Sequence, residues 1–195
     1  DRPPNATIAI IDEDPHRNSM VYQNHQADMY LEGNVAQTLR DLAAATENLG
    51  IDKSNVKERL DKYSSAHEAL MDQRRSQQAE ARQSTPIDPV WLCSCLNEVM
   101  PKGTTYVDEV TTHTGLLRQH VMWGEPGTLY SRQGGLGQGL GLSLGVKLAK
   151  PDVPVVTLIG DGAFLYNPVL QSLGASREFS LPVMSVIFNN EKYAA

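Results

Sequence analysis

The run Val153–Ile159 is apolar and rich in β-branched residues, and it stops at Gly160-Asp161-Gly162. After one helical stretch, Pro168–Glu178, a second apolar run, Val183–Phe188, stops at Asn189-Asn190. Strand, helix and strand in that order form a βαβ unit, whose crossover brings the second strand back parallel to the first. Parallel neighbours lie about 4.8 Å apart and end on the same edge of their sheet. The loops bearing Asp161 and Asn190 therefore converge, although they are far apart in sequence.

What converges is hard-oxygen chemistry. Mg²⁺ takes near-octahedral oxygen ligands at about 2.0–2.1 Å and keeps water and phosphate oxygens among them, so a protein supplies only a few groups. Asp161 offers a carboxylate, Asn190 an amide oxygen and the Lys192 backbone carbonyl a third ligand, with a diphosphate and a water to complete the shell. Separately, Gly-Asp-Gly is a common tight turn and Asn-Asn a common Asx turn. Their joint placement after successive strands is what points to a magnesium–diphosphate site.

The same alternation extends towards the front of the chain. Asp88 is placed to cap a helix that has Pro89 at its first position and runs over Val90–Val99 to a stop near Pro101. Thr104–Val107 reads as a strand, Asp108–Thr112 as the loop at its end and Gly115–His120 as a short helix. Gly134-Gly135-Leu136-Gly137-Gln138-Gly139 then flows into helix Leu140–Leu148, and Lys150-Pro151-Asp152 turns the chain into Val153–Ile159. The fold class is α/β, with a doubly wound, mostly parallel sheet that is expected to be incomplete. In such sheets ligands bind beyond the C-terminal ends of the strands. The loops Asp108–Thr112, Gly160–Ala163 and Asn189–Tyr193 fall there.

Ahead of this segment, Ala6–Ile11 reads as a strand ended by Asp12-Glu13-Asp14-Pro15. A short strand at Asp28–Leu31, a Gly33-Asn34 turn and a helix over Val35–Leu49 follow. These elements hold too little core for a whole α/β domain and read as the closing part of one. Residues 50–85 are polar and charged, with Lys57-Glu58-Arg59 and Arg74-Arg75 among them, and read as a linker with a surface helix. The organisation expected is thus 1–49, 50–85 and 86–195. The chain opens on Asp1-Arg2-Pro3-Pro4 with no Met, which reads as a truncated front.

A net charge of −6, with no basic stretch interleaved with aromatics, argues against nucleic acid as a partner. No stretch is as long and apolar as a membrane span. Cys93 and Cys95 are the only cysteines and lack His or further Cys at metal-ligand spacing, so they read as buried thiols of a reducing, cytoplasmic compartment.

A glycine-rich loop entering a helix presents free N–H groups to an anion. Familiar nucleotide motifs nevertheless fail here. Read from Gly135 or from Gly139, the third glycine of G-x-G-x-x-G falls on Leu140 or Leu144, and no G-K-[ST] follows. Dinucleotide and nucleoside triphosphate binding are disfavoured. Gly135-x-x-x-Gly139 and Gly141-x-x-x-Gly145 fit close helix packing better than a membrane face. Thr111 and Thr112 are suited either to bond phosphate oxygens or to cap the following helix, and His113 reads as a loop or cap histidine.

Taken together, Gly160-Asp161-Gly162 with Asn189-Asn190, Gly134-Gly135-Leu136-Gly137 and Lys150-Pro151-Asp152 resemble the thiamine diphosphate-dependent enzymes, in the acetolactate synthase and benzoylformate decarboxylase group. Asp108-Glu109-Val110-Thr111-Thr112, Pro126-Gly127 and Tyr166 resemble the benzoylformate decarboxylase-like members. Glu191-Lys192 departs from the small residues common there and leaves the subgroup open. The resemblance runs over Pro86–Ala195. Residues 11–15 and 28–33 are similar to the end of the central domain, so the chain is expected to reach from there into the first part of the cofactor-binding domain.

The resemblance implies thiamine diphosphate and Mg²⁺ as cofactors. Asp161, Asn190 and the Lys192 carbonyl would hold the metal, and Thr111, Thr112 and the amides around Gly160, Gly162 and Ala163 would meet the diphosphate. The Gly134 carbonyl would accept from the pyrimidine amino group, and Leu136 would support the bent cofactor, which places these two closest to the catalytic chemistry. Tyr166 and Tyr193 would lie near the diphosphate or the active cavity. The reaction implied is decarboxylation of a 2-keto acid or carboligation, in a homodimer or homotetramer, with a flavin site left open. The family's activating glutamate has no counterpart here, and Glu109 belongs to a different motif, so no turnover is expected from this chain alone. The alternative is a non-catalytic cofactor-binding or regulatory module derived from the same fold.

Overall fold

The computed structural model describes residues 5–17, 26–47, 49–50, 52–131 and 134–191. It divides into two compact units, Asp1–His67 and Glu68–Ala195.

In the first unit, strands β1 (Ala9–Asp12) and β2 (Met29–Glu32) pair in parallel with Ile10 opposite Tyr30. Helix α1 (Val35–Glu47) follows, its start fixed by Asn34, whose Oδ1 accepts from the Gln37 N–H at 3.0 Å. Helix α2 (Lys53–Ala81), whose residues from Glu68 on belong to the second unit, begins at Asp52, whose Oδ1 accepts from both the N–H and the hydroxyl of Ser54. Those bonds hold the Asp52 carboxyl below the usual range. Of all the residues in α2 only Ala81 is buried, as befits a sequence without an apolar stripe.

The second unit is built around a four-stranded parallel sheet in the order β4-β3-β5-β6. Its elements are α3 (Pro89–Val99), β3 (Thr105–Glu109), α4 (Thr114–His120), β4 (Leu129–Ser131), α5 (Gly139–Ala149), β5 (Val155–Gly160), α6 (Asp161–Tyr166), α7 (Val169–Glu178) and β6 (Met184–Phe188). Asp88 caps α3 through the Val90 N–H at 2.7 Å, with Pro89 in the first turn.

Alternation along the central strands splits the core between two faces. Tyr106, Val156 and Leu158 pack with Cys93 and Leu96 of α3, Leu117 of α4 and Val121 just after it. Val107 and Val155 pack with Val146 of α5 on the other. There the Thr157 hydroxyl bonds that of Ser143 at 2.6 Å. The two central strands are covered on both faces, whereas β6 is an edge with Met184 and Ile187 exposed. This is the α/β, doubly wound parallel architecture read from the sequence.

Three local readings are corrected. Asp108 and Glu109 finish β3 rather than opening a loop, because β5 pairs with both and β4 with Asp108. The strand expected over Val153–Ile159 starts at Val155, after Pro154, and takes in Gly160. Asp161-Gly162 is then the first turn of α6, not a loop. Strand β4 was not foreseen, because three residues are too short to show a period.

Burial pushes the Cys93 thiol up to about 12, with Asp88 adding to the rise. A thiol so shifted stays protonated at pH 8 and unreactive. Brief native alkylation at that pH, read by peptide mass spectrometry, is expected to leave Cys93 unmodified and to label it once the chain is unfolded. Native labelling of Cys93 at the unfolded rate would contradict this packing.

Candidate functional site

All four strands run the same way, so β3, β4, β5 and β6 end on one edge of the sheet, and the segments singled out in the sequence emerge there. Gly160 stands opposite Phe188 in the β5–β6 register. Asp161 and Asn189-Asn190 thus leave neighbouring strands side by side. Asn189 Oδ1 accepts from the Glu191 N–H at 2.9 Å, as in an Asx turn. Among the described residues no three His, Cys, Asp or Glu side chains group as a metal cluster. At the ends of β5 and β6 the Asp161 carboxylate and the Asn190 amide are hard oxygen donors, which suit Mg²⁺ better than a soft metal. Lys192 and Tyr193 lie outside the described residues.

Beside this pair, at the end of β3, lies a cavity of about 500 Å³ lined by Thr111, Gly134, Gly135 and Leu136 together with Asp108 and Glu109. Burial pushes the Asp108 carboxyl up, while the Val110 N–H, Arg118 and Ser131 pull it partly back. Leu136 is 46% exposed, an apolar side chain standing at the cavity without a packed neighbour shell. Thr111 and Thr112 are both exposed. Neither caps α4, whose N-cap is His113 and has no side-chain cap bond; the His113 ring lies 5.9 Å from that of Phe188.

Glu109 holds the glycine stretch in place. Its Oε1 accepts from the N–H groups of Gly137 at 2.7 Å and Gln138 at 2.9 Å, and its Oε2 from the Gly139 N–H at 2.7 Å and Asn167 Nδ2 at 2.9 Å. A carboxylate on β3 thereby supplies the cap that α5 lacks locally, since Gln138 makes no side-chain cap bond. Only glycine permits the approach: a Cβ on Gly139 would stand 2.5 Å from Glu109 Oε2. Asn167 extends the network, with Oδ1 accepting from the Leu140 N–H and Nδ2 donating to the Ala163 carbonyl. It ties the glycine loop to α6, on which Asp161, Gly162, Ala163 and Tyr166 all lie.

Sequence reasoning left Glu109 and Asn167 without a role. A signal was present: an acidic pair closing an apolar strand has to find donors, and a glycine-rich entry into a helix has N–H groups to give. Their meeting depends on how β3 and α5 pack, which spacing alone does not disclose.

Residues 109–195 match the family model described as the C-terminal TPP binding domain of thiamine pyrophosphate enzymes. The chain is 32% identical over 201 residues to the probable acetolactate synthase large subunit of Methanocaldococcus jannaschii, covering 96% of this chain and 31% of that protein. It is 30% identical over 118 residues to the benzoylformate decarboxylase of Pseudomonas aeruginosa, covering 60% of this chain and 22% of that one. The chain thus spans less than a third of the length of either relative. In fold it is similar to a protein of Mycobacterium smegmatis described as a thiamin diphosphate-dependent enzyme, with a TM-score of 0.64, 20% identity and coverage of 99% of this chain and 34% of that one.

Proposed function

We propose that this chain, whose residues 109–195 match the C-terminal TPP binding domain of thiamine pyrophosphate enzymes, binds thiamine diphosphate through Mg²⁺ as part of a 2-keto acid decarboxylase or carboligase. The observation that carries the reading is the register of β5 and β6, which sets Asp161 and Asn190 at the ends of neighbouring parallel strands. Beside them the Glu109-anchored loop presents Gly134 and Leu136 to a cavity.

The roles are those that the resemblance implies. Asp161 and Asn190, with the Lys192 carbonyl, would hold the ion. Thr111, Thr112 and the first-turn amides at Gly162 and Ala163 receive the phosphate oxygens, and Tyr166 flanks them. The Gly134 carbonyl would accept from the pyrimidine amino group, and Leu136 would be the apolar support of the bent cofactor. When bound, thiamine diphosphate supplies the electron sink on which a 2-keto acid loses CO₂. The protein's share is to bind, orient and exclude solvent. The parent protein would act as a homodimer or homotetramer in the cytoplasm.

Calorimetric titration with thiamine diphosphate tests this directly. Binding is expected with Mg²⁺ present, is expected to vanish when EDTA replaces the ion, and is expected to fall at least about a hundredfold in Asp161→Ala, which removes the one charged ligand. Binding of equal strength with EDTA, or in the variant, would mean that the pair at the ends of β5 and β6 is not a metal site.

A further inference from the structure

The face that carries α3 and α4 has an opening of about 710 Å³, bordered also by the second half of α2. Among the described residues, the buried side-chain polar atoms without a hydrogen-bond partner are Arg74 Nε, His120 Nδ1, Trp123 Nε1 and the Thr105 hydroxyl. The first three belong to residues lining this one opening. Arg Nε–H and indole N–H are donors that can never accept, and leaving a buried donor unmade costs about 1–3 kcal/mol. His120 is 5% exposed, and burial followed by the Arg74 charge pushes its pKa down, against a smaller opposing pull from Asp88.

Charge and shape narrow the complement. Arg74, Arg75 and Arg118 line the opening against a single carboxylate, Glu98, and Arg75 is already paired with Asp72. Met71, Met122 and the Trp123 ring supply apolar wall. The volume is in the range that takes a small molecule, and an opening with a few convergent polar groups in an apolar wall is the usual form of such sites.

We propose that this opening is a binding site for a small organic anion, a carboxylate or phosphate on an apolar body, whose oxygens take the Arg74, Trp123 and His120 N–H groups. Arg118 lines both this opening and the cavity at the end of β3, whereas Arg74, His120 and Trp123 line only the former of the two.

The chain has two tryptophans, so a Trp91→Phe background leaves Trp123 as the only indole reporter. The probes are sodium benzoate, its neutral isostere benzamide and inorganic phosphate, titrated at constant ionic strength made up with sodium chloride. A saturable change in Trp123 emission with benzoate or phosphate, absent with benzamide and at least about tenfold weaker in Arg74→Met, is the expected result. Response to benzoate alone assigns a carboxylate and to phosphate alone a phosphate. Calorimetry on the chain with Trp91 intact repeats the comparison should the Phe variant lose its far-UV circular dichroism. Retention of binding in Asp161→Ala separates the outcome from the thiamine diphosphate reading. An equal response to benzamide, an unchanged response in Arg74→Met, or no saturable response to either anion would overturn the proposal and leave the three nitrogens to water.

Discussion

Glu109→Ala is expected to cost this chain about 4 kcal/mol and to lower its thermal midpoint by roughly 8–16 °C. The carboxylate takes three backbone N–H groups and the Asn167 amide at 2.7–2.9 Å. Each buried donor left unmade costs about 1–3 kcal/mol. Glu109 also lines the neighbouring cavity, so water reaches some of the vacated donors and the total stays below a simple sum. A change of 1 kcal/mol moves the midpoint of a 150–250-residue protein by about 2–4 °C. The loss is a large share of a usual stability of about 5–15 kcal/mol. Glu109→Gln separates charge from shape: it keeps one acceptor oxygen but turns an –NH₂ towards groups that themselves donate. It is expected to lose roughly half as much stability while weakening Mg²⁺-dependent thiamine diphosphate binding about tenfold or more, since residues that orient a site from behind typically cost 10–100-fold. Denaturant unfolding and calorimetric titration measure the two effects. A Gln variant as stable as the parent and binding as tightly would show that the carboxylate does not set the loop.

That carboxylate also marks where sequence legibility stopped. The βαβ order, the parallel sheet and the edge from which Asp161 and Asn190 emerge all follow from two periodic apolar runs with a helix between them, because local period and crossover geometry are written in consecutive residues. The ends of β3 and β5 were misplaced by a residue or two, because pairing decides where a strand stops: Glu109 is held in the ladder by Ile159, and Gly160 by Phe188. Strand β4 escaped notice because its three residues are ordered by β3 rather than by any pattern of their own. Glu109 and Asn167 had no visible role, because the backbone partners of Glu109 lie 28 to 30 positions away, Leu140 lies 27 from Asn167, and the two side chains that meet are 58 apart. The alternatives left open for Thr111 and Thr112 narrowed for a local reason, since the cap position of α4 went to His113.

Gly137→Ala is expected to be more damaging than Gly134→Ala, although both glycines have positive φ, +93° and +86°. Either substitution forces an L side chain into a region that costs it about 1–2 kcal/mol. At Gly134 the new methyl group meets nothing within 4 Å, so that cost is the whole effect. At Gly137 it would stand 2.5 Å from the Tyr166 carbonyl oxygen and 3.0 Å from its carbon, both backbone atoms that cannot swing aside. Either the glycine loop must lift off the Glu109 carboxylate or α6 must shift, and packed elements yield in such cases at a cost of about 1–3 kcal/mol. Gly137→Ala should therefore lose about 2–5 kcal/mol in denaturant unfolding against about 1–2 for Gly134→Ala. The contact also predicts a functional asymmetry. Tyr166 closes the helix that Asp161 opens, so a displaced α6 moves the proposed metal ligand as well as the loop. Calorimetry should show Mg²⁺-dependent thiamine diphosphate binding lost in Gly137→Ala beyond what its lower stability explains, at a temperature where the variant remains folded. Equal unfolding energies for the two alanine variants would mean that α6 gives way freely, and the two halves of the site would then be positioned independently.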